Sequence, residues 1–151
     1  MDNEVLLQVR NLKLHFPFQV GWGPWVRHGK IRAVDGVDLE IKAGETLGLV
    51  GESGCGKSTT ARAIAQLHKP TSGEVLFQGQ DLTKLSHREL TLARRHFQMV
   101  FQDPFASLDP RMTVGQSVAE PLKIFRQNSK EPLTNVEISE RVELLLQKVG
   151  L

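Results

Sequence analysis

Apolar residues in the first part of the chain fall in short alternating runs. Val5-Leu6-Leu7-Gln8-Val9 reads as a strand, and Leu12-Lys13-Leu14-His15-Phe16 alternates as a second one. From Pro17 to Lys30 the pattern breaks at Gly21, Gly23, Pro24 and Gly29, so a loop is expected, with Trp22 and Trp25 pinning it to the core. Ile31 to Val34 and Val37 to Ile41 read as short strands around a turn at Asp35-Gly36, and Ala43-Gly44 as another turn. Thr46-Leu47-Gly48-Leu49-Val50 is almost wholly apolar, the type of strand buried on both faces of a sheet. A glycine-rich stretch follows. Thr59 to Leu67 then predicts a compact helix with Ala61, Ala63 and Ala65 on its packing side, stopped by Pro70 and Gly73.

Further along, Glu74 to Gln78 reads as a strand, and Ser86-His87-Arg88-Glu89 has the capping-box pattern that opens a helix toward Arg95. Phe97 to Phe101 is a second apolar strand, closed by Gln102-Asp103-Pro104, and Phe105 to Pro110 a polar-aromatic loop. Thr113 is expected to cap a helix that Pro121 limits or kinks. Thr134 or Asn135 starts a last helix with Val142, Leu145, Leu146 and Val149 as its apolar side. There is no internal repeat and no low-complexity tract.

Composition narrows the class without naming an activity. The 151 residues suffice for one domain with a sizeable core. Net charge is only +2 and the basic residues are scattered, which argues against a nucleic-acid partner. No run approaches the eighteen or so apolar residues of a membrane span. The acidic start Met1-Asp2-Asn3-Glu4 lacks a signal pattern. A single cysteine, Cys55, excludes an internal disulfide and fits a reducing compartment, so a soluble cytoplasmic protein is expected.

The chemistry is concentrated in Gly51-Glu52-Ser53-Gly54-Cys55-Gly56-Lys57-Ser58, which matches the P-loop pattern at every fixed position. Wrapping a phosphate chain requires successive backbone N–H groups to point inward, and glycines permit both the dihedrals and the close approach. The following helix aims its positive end at the phosphates. Lys57 is a flexible point charge able to reach the outer phosphates, and the Ser58 hydroxyl is a hard oxygen ligand suited to Mg²⁺. Cys55 is expected to lend only its N–H, since no His partner for a catalytic thiol is in sight. The loop alone does not choose among kinases, GTPases, helicases and transporter ATPases.

Three further stretches carry a resemblance. Ala33-Val34-Asp35-Gly36-Val37-Asp38-Leu39-Glu40-Ile41, just ahead of Gly44 to Thr59, resembles the start of an ABC-type nucleotide-binding domain. Val100-Phe101-Gln102-Asp103-Pro104 resembles that family's Q-loop, and Phe105 to Val114 is similar to the form found in oligopeptide and dipeptide uptake ATPases. The Pro17–Lys30 stretch is also similar to that subfamily, particularly its second ATPase subunit. The resemblance covers essentially the whole chain.

The resemblance implies an α/β fold, a P-loop NTPase of the ABC type. Residues 1–44 and 74–82 would form mainly an antiparallel β subdomain, 45–73 and 97–103 a partial RecA-like core, and 104–151 the start of a helical subdomain. Its ligands would be ATP and Mg²⁺. Gly51, Glu52, Ser53, Gly54, Cys55, Gly56, Lys57, Ser58 and Thr59 would bind phosphate, with Lys57 on the β/γ-phosphates and Ser58 on Mg²⁺. Gln102 would be a second Mg²⁺/water ligand and a sensor of the γ-phosphate. Lys57 and Gln102 are thus the catalytic candidates.

The family stacks adenine on an aromatic residue whose place, counted back from the P-loop, falls on His28; Trp25 is the alternative. Implied partners are transmembrane permease subunits, a second ABC ATPase subunit and, indirectly, an extracytoplasmic solute-binding protein, at the cytoplasmic face of the membrane. The family's signature sequence, Walker B carboxylates and switch histidine have no counterpart in these 151 residues. The expectation is therefore an ATP-grasping part without the water-activating part. The rival readings are a nucleotide-binding module without hydrolysis, and a non-transport ABC ATPase of DNA repair or translation.

Overall fold

A computed structural model describes residues 4–21, 25–103, 107–126 and 132–151. It divides into two compact units, residues 1–90 and 91–151. The first is built on a four-stranded antiparallel sheet in the order β2-β1-β3-β4, with β1 at Val5–Val20, β2 at Arg27–Lys42, β3 at Ser72–Phe77 and β4 at Gln80–Asp81. Helix α1, Lys57–Ile64, lies between β2 and β3 in sequence, and a 3-10 turn at Leu82–Lys84 follows β4. Helix α2 spans His87–Ala93.

The two strands expected on either side of Arg10-Asn11 are one continuous strand. Alternation slips phase there because β1 carries an extra residue: Val9 pairs with Leu39 but Leu12 with Val37. Asn11 takes a φ of 45°, and its N–H donates to Asp38 Oδ1 at 2.8 Å. The bulge keeps Val9, Leu12 and Leu14 on one face, where all three are buried with Val34, Val75 and Ala63. A strict period of two would have placed Asn11 inside.

Asp35-Gly36 is not a turn either. Leu12 pairs with Val37 and Lys13 with Asp35, so Gly36, at φ 84°, is the extra residue of a bulge inside the single strand β2. Both arms of the expected Pro17–Lys30 loop are ladder: Pro17 pairs with Lys30, Phe18 with Gly29, Gln19 with His28 and Val20 with Arg27. Beyond His15, β2 is the one described strand that pairs with β1, and a strand with one unpaired edge tolerates a proline. Trp25 is 82% exposed and pins nothing. Trp22 lies outside the described residues.

Neither apolar stretch expected to form a strand does so. Thr46–Val50 and Phe97–Phe101 lie outside any strand, and Val50 and Val100 are each 93% exposed. A strand exists only through its neighbours' hydrogen bonds, and none of the described strands pairs with either stretch. Helix α1 begins at Lys57 and stops at Ile64, short of Leu67, because Gln66 turns to φ 54° while its side chain donates to Ala63 O.

The second unit holds α3, Val114–Arg126, packed against α4, Asn135–Lys148. Thr113 and Gln116 cap α3 reciprocally, at 3.2 and 2.8 Å. Pro121 sits inside α3 and does not end it. Thr134 caps α4 in a full capping box with Glu137. The packed face of α4 runs through Ile138, which is 3% exposed, and the half-buried Val142 and Leu146. Leu145 and Val149, expected on that side, are 40% and 72% exposed, because a step of four keeps to the face turned toward α3.

Candidate functional site

The glycine-rich loop connects the exposed stretch after β2 to α1. Gly56 stands at the helix N-cap with φ 95°, a left-handed conformation that favours glycine, and no side chain caps α1. The first-turn N–H groups of α1 therefore carry no capping side chain, and no acidic residue occupies that turn. Thr60 anchors the helix start from inside: it is buried, and its hydroxyl and N–H both donate to Gly56 O, at 3.0 and 2.8 Å.

Lys57 reaches back across the loop. Its ammonium donates to Gly51 O and to Glu52 O, both at 2.7 Å, and lies 3.5 Å from Cys55 Sγ. The loop thus closes into a ring of backbone around one positive charge, at the positive end of a helix. Such an ammonium can exchange neutral carbonyls for phosphate oxygens, which form stronger charge-assisted bonds. The loop from Gly51 to Cys55 is exposed, as is Ser58 on the first turn of α1. Around Cys55 the backbone turns back, with its N–H on Glu52 O at 3.3 Å.

Behind the loop stands β2. A side-chain carbon added to Gly56 would lie 2.5 Å from the Ala33 carbonyl oxygen. Sequence reading assigned no role to Ala33, nor to Thr60. The signal available for Ala33 was its place one residue before Val34, within the stretch that carries the resemblance.

The remaining candidates are placed elsewhere. His28 is on β2, exposed and opposite Gln19, about 17 Å of extended strand back from Ala33. Trp25 precedes β2 in the connection to β1. Gln102 belongs to the second unit, where it is exposed at a bend. Among the described residues no group of three His, Cys, Asp or Glu could hold a metal ion, and no helix is long and apolar enough to cross a membrane.

The family model for the ABC transporter matches residues 34–151. The chain belongs to that family. It is 47% identical over 151 residues to the oligopeptide transport ATP-binding protein AppF of Bacillus subtilis, covering 99% of this chain and 44% of that protein. It is also 47% identical over 152 residues to the oligopeptide transport ATP-binding protein OppF of Salmonella typhimurium, with the same coverage. The chain thus spans less than half the length of these relatives. Among solved structures it is similar to the ATP-binding cassette MJ0796, solved as a dimer in a post-hydrolysis state bound to ADP and Pi. That match has a TM-score of 0.71 and 29% identity, and covers 96% of this chain and 57% of the other. The expected fold class is therefore correct: an ABC-type ATP-binding domain in part, with an antiparallel β subdomain followed by helices. The ABC match begins at Val34, one residue after the strand position that backs Gly56.

Proposed function

We propose that this chain is the ATP-gripping part of an energy-coupling subunit of an ABC importer for peptides or similar small solutes. One observation carries the gripping role: the Gly51–Ser58 ring, closed by Lys57 on two carbonyls at the uncapped head of α1. The names of the two oligopeptide transport relatives support the peptide-like cargo. Gly51 to Thr59 bind the phosphates, and Lys57 neutralises charge on the outer ones. Gln102 senses the γ-phosphate, and His28 or Trp25 stacks the adenine.

Mg²⁺ fits this donor set. It prefers oxygen ligands, keeps several waters and uses substrate phosphates, so it requires little more from the protein than one exposed hydroxyl such as Ser58; the further oxygen ligand that the resemblance implies is Gln102. When bound, the ion supplies charge neutralisation at the phosphates. The partners are a transmembrane permease, a second ATPase subunit of the kind the MJ0796 dimer suggests, and indirectly a solute-binding protein. The subunit lies at the cytoplasmic face of the membrane.

A second reading concerns turnover. The 151 residues contain no Ser-Gly-Gly-Gln run and no apolar run ending in Asp-Glu, so they hold no water-activating carboxylate of that kind. General-base help is typically worth about 10²–10⁴ in rate. We therefore expect this chain to bind ATP-Mg and to hydrolyse it only at background rate. Calorimetry with ATP-Mg and phosphate release on the same sample test both statements. Binding abolished by Lys57→Ala, without turnover, is the expected result. Absence of binding refutes the gripping role, and steady hydrolysis abolished by Lys57→Ala refutes the second reading.

A further inference from the structure

The wall behind the nucleotide loop is a strand defect. Between the pairs Leu14–Val34 and His15–Arg32 the ladder advances one residue on β1 and two on β2, so Ala33 is an extra residue. A bulge re-aims the groups it carries and leaves its extra residue out of the ladder. Here the Ala33 carbonyl is the group that meets Gly56, within 2.5 Å of where a side-chain carbon would stand. Its position therefore depends on whatever holds the bulge.

Asp35 holds it with both carboxylate oxygens. Oδ1 is 3.0 Å from His15 Nε2 on the opposite strand, and Oδ2 accepts from Arg32 Nη1 at 3.3 Å. The two contacts thus tie the residue before Ala33 and the residue across from it to a single group two positions further on. His15 is itself anchored: its N–H donates to Thr71 Oγ1 at 2.9 Å, while the Thr71 N–H donates to Lys13 O at 2.7 Å. The hydrogen bond from His15 holds the Asp35 carboxyl below its usual range, against desolvation and with help from the nearby basic side chains, Arg32 first among them. The carboxylate is therefore ionised, and able to hold both partners, across neutral pH.

We propose that Asp35 is a positioning residue for the nucleotide loop: by bracing the Ala33 bulge through His15 and Arg32, it sets the surface on which Gly56 is seated, and with it the groups of Lys57 and Ser58. This rests on reading Gly51–Ser58 as a phosphate-binding loop. Asp35 touches no substrate in this scheme and acts only through the bulge.

The test compares the 151-residue chain with Asp35→Ala, Arg32→Ala and a control, Arg10→Ala. The control removes another exposed ion pair of the same sheet, from Arg10 to Glu74 at 3.8 Å. Two quantities are read: amide hydrogen exchange in nucleotide-free protein, and affinity for ATP-Mg. Asp35→Ala is expected to speed exchange several-fold across Gly54 to Thr60 while Val9 and Val75 exchange as in the parent. It should also weaken ATP-Mg by about two- to fivefold, the scale of an exposed ion-pair network. Arg32→Ala leaves the His15 contact in place and should fall between; Arg10→Ala should move neither quantity.

Unchanged exchange and affinity in Asp35→Ala overturn the proposal. So does a rise spread evenly over Val9 and Val75, because that marks general loosening of the sheet. A parent chain that does not bind ATP-Mg overturns the phosphate-loop reading instead, and the exchange comparison, which needs no nucleotide, still decides whether Asp35 braces the loop.

Discussion

Two alanine substitutions in the glycine loop separate backbone strain from the wall formed by β2. Gly54 has φ 83° and no atom within 4 Å of the added carbon. Gly54→Ala therefore meets only the left-handed strain, about 1–2 kcal/mol. The free loop can relax that strain, and a bound phosphate chain must restore it, so ATP-Mg should bind roughly five- to thirtyfold more weakly. Gly56 has φ 95°, and its added carbon would lie 2.5 Å from the Ala33 carbonyl oxygen, where ordinary contact starts at 3.4 Å. The obstacle is backbone in a paired strand, so it cannot swing away as the end of a side chain would. Overpacking of this kind costs typically about 1–3 kcal/mol on top of the strain. Where the free loop gives way and bound nucleotide restores the contact, the total, about 2–5 kcal/mol, corresponds to a loss of roughly thirtyfold to several thousandfold. Titration calorimetry of both variants, with circular dichroism to confirm the fold, gives the comparison. Equal affinities for Gly54→Ala and Gly56→Ala would refute the reasoning, because the loop would then not lean on Ala33 when it holds nucleotide.

ATP-Mg should protect Cys55 from maleimide, since its exposed thiol lies 3.5 Å from Lys57 Nζ inside the ring; equal labelling rates with and without nucleotide would count against that placement. Leu12→Ala should destabilise the first unit by about 2–5 kcal/mol in urea melts, because Leu12 is fully buried on the packed face of the sheet; a change under 1 kcal/mol would mean the sheet face collapses freely. Thr134→Ala should cost about 0.5–2 kcal/mol of α4 stability by helical ellipticity. The same box sets a pH dependence. The backbone N–H and then the hydroxyl of Thr134 hold Glu137 below its usual 4.5, so the contribution is complete above pH 4.5 and is lost as pH falls through the lowered value. Glu137→Gln should flatten that acid limb, and an unchanged limb would show that another carboxylate governs it.

How far the sequence reached depends on the range of the forces involved. The nucleotide loop was legible because its demands are local: glycine at the left-handed N-cap, a lysine next to it and a helix to follow all lie within eight residues, Gly51 to Ser58. The helix starts at Ser86, Thr113 and Thr134 were legible for the same reason, since a capping hydroxyl and its partner stand three residues apart. The tertiary structure decided the strands. Asn11 and Gly36 looked like a break and a turn, and became bulges, because the partner strand imposes a register that local preference cannot see. Pro17 to Val20 and Arg27 to Lys30 looked like parts of a loop and became ladder, because pairing with the opposite arm outweighs the scattered glycines. Thr46–Val50 and Phe97–Phe101 have the composition of buried strands and are none, because an apolar run becomes a strand only when a neighbour supplies its hydrogen bonds. The contact of Ala33 with Gly56 belongs to this second class: the two residues are twenty-three positions apart, and only the bulged register of β2 brings one carbonyl to the back of the loop.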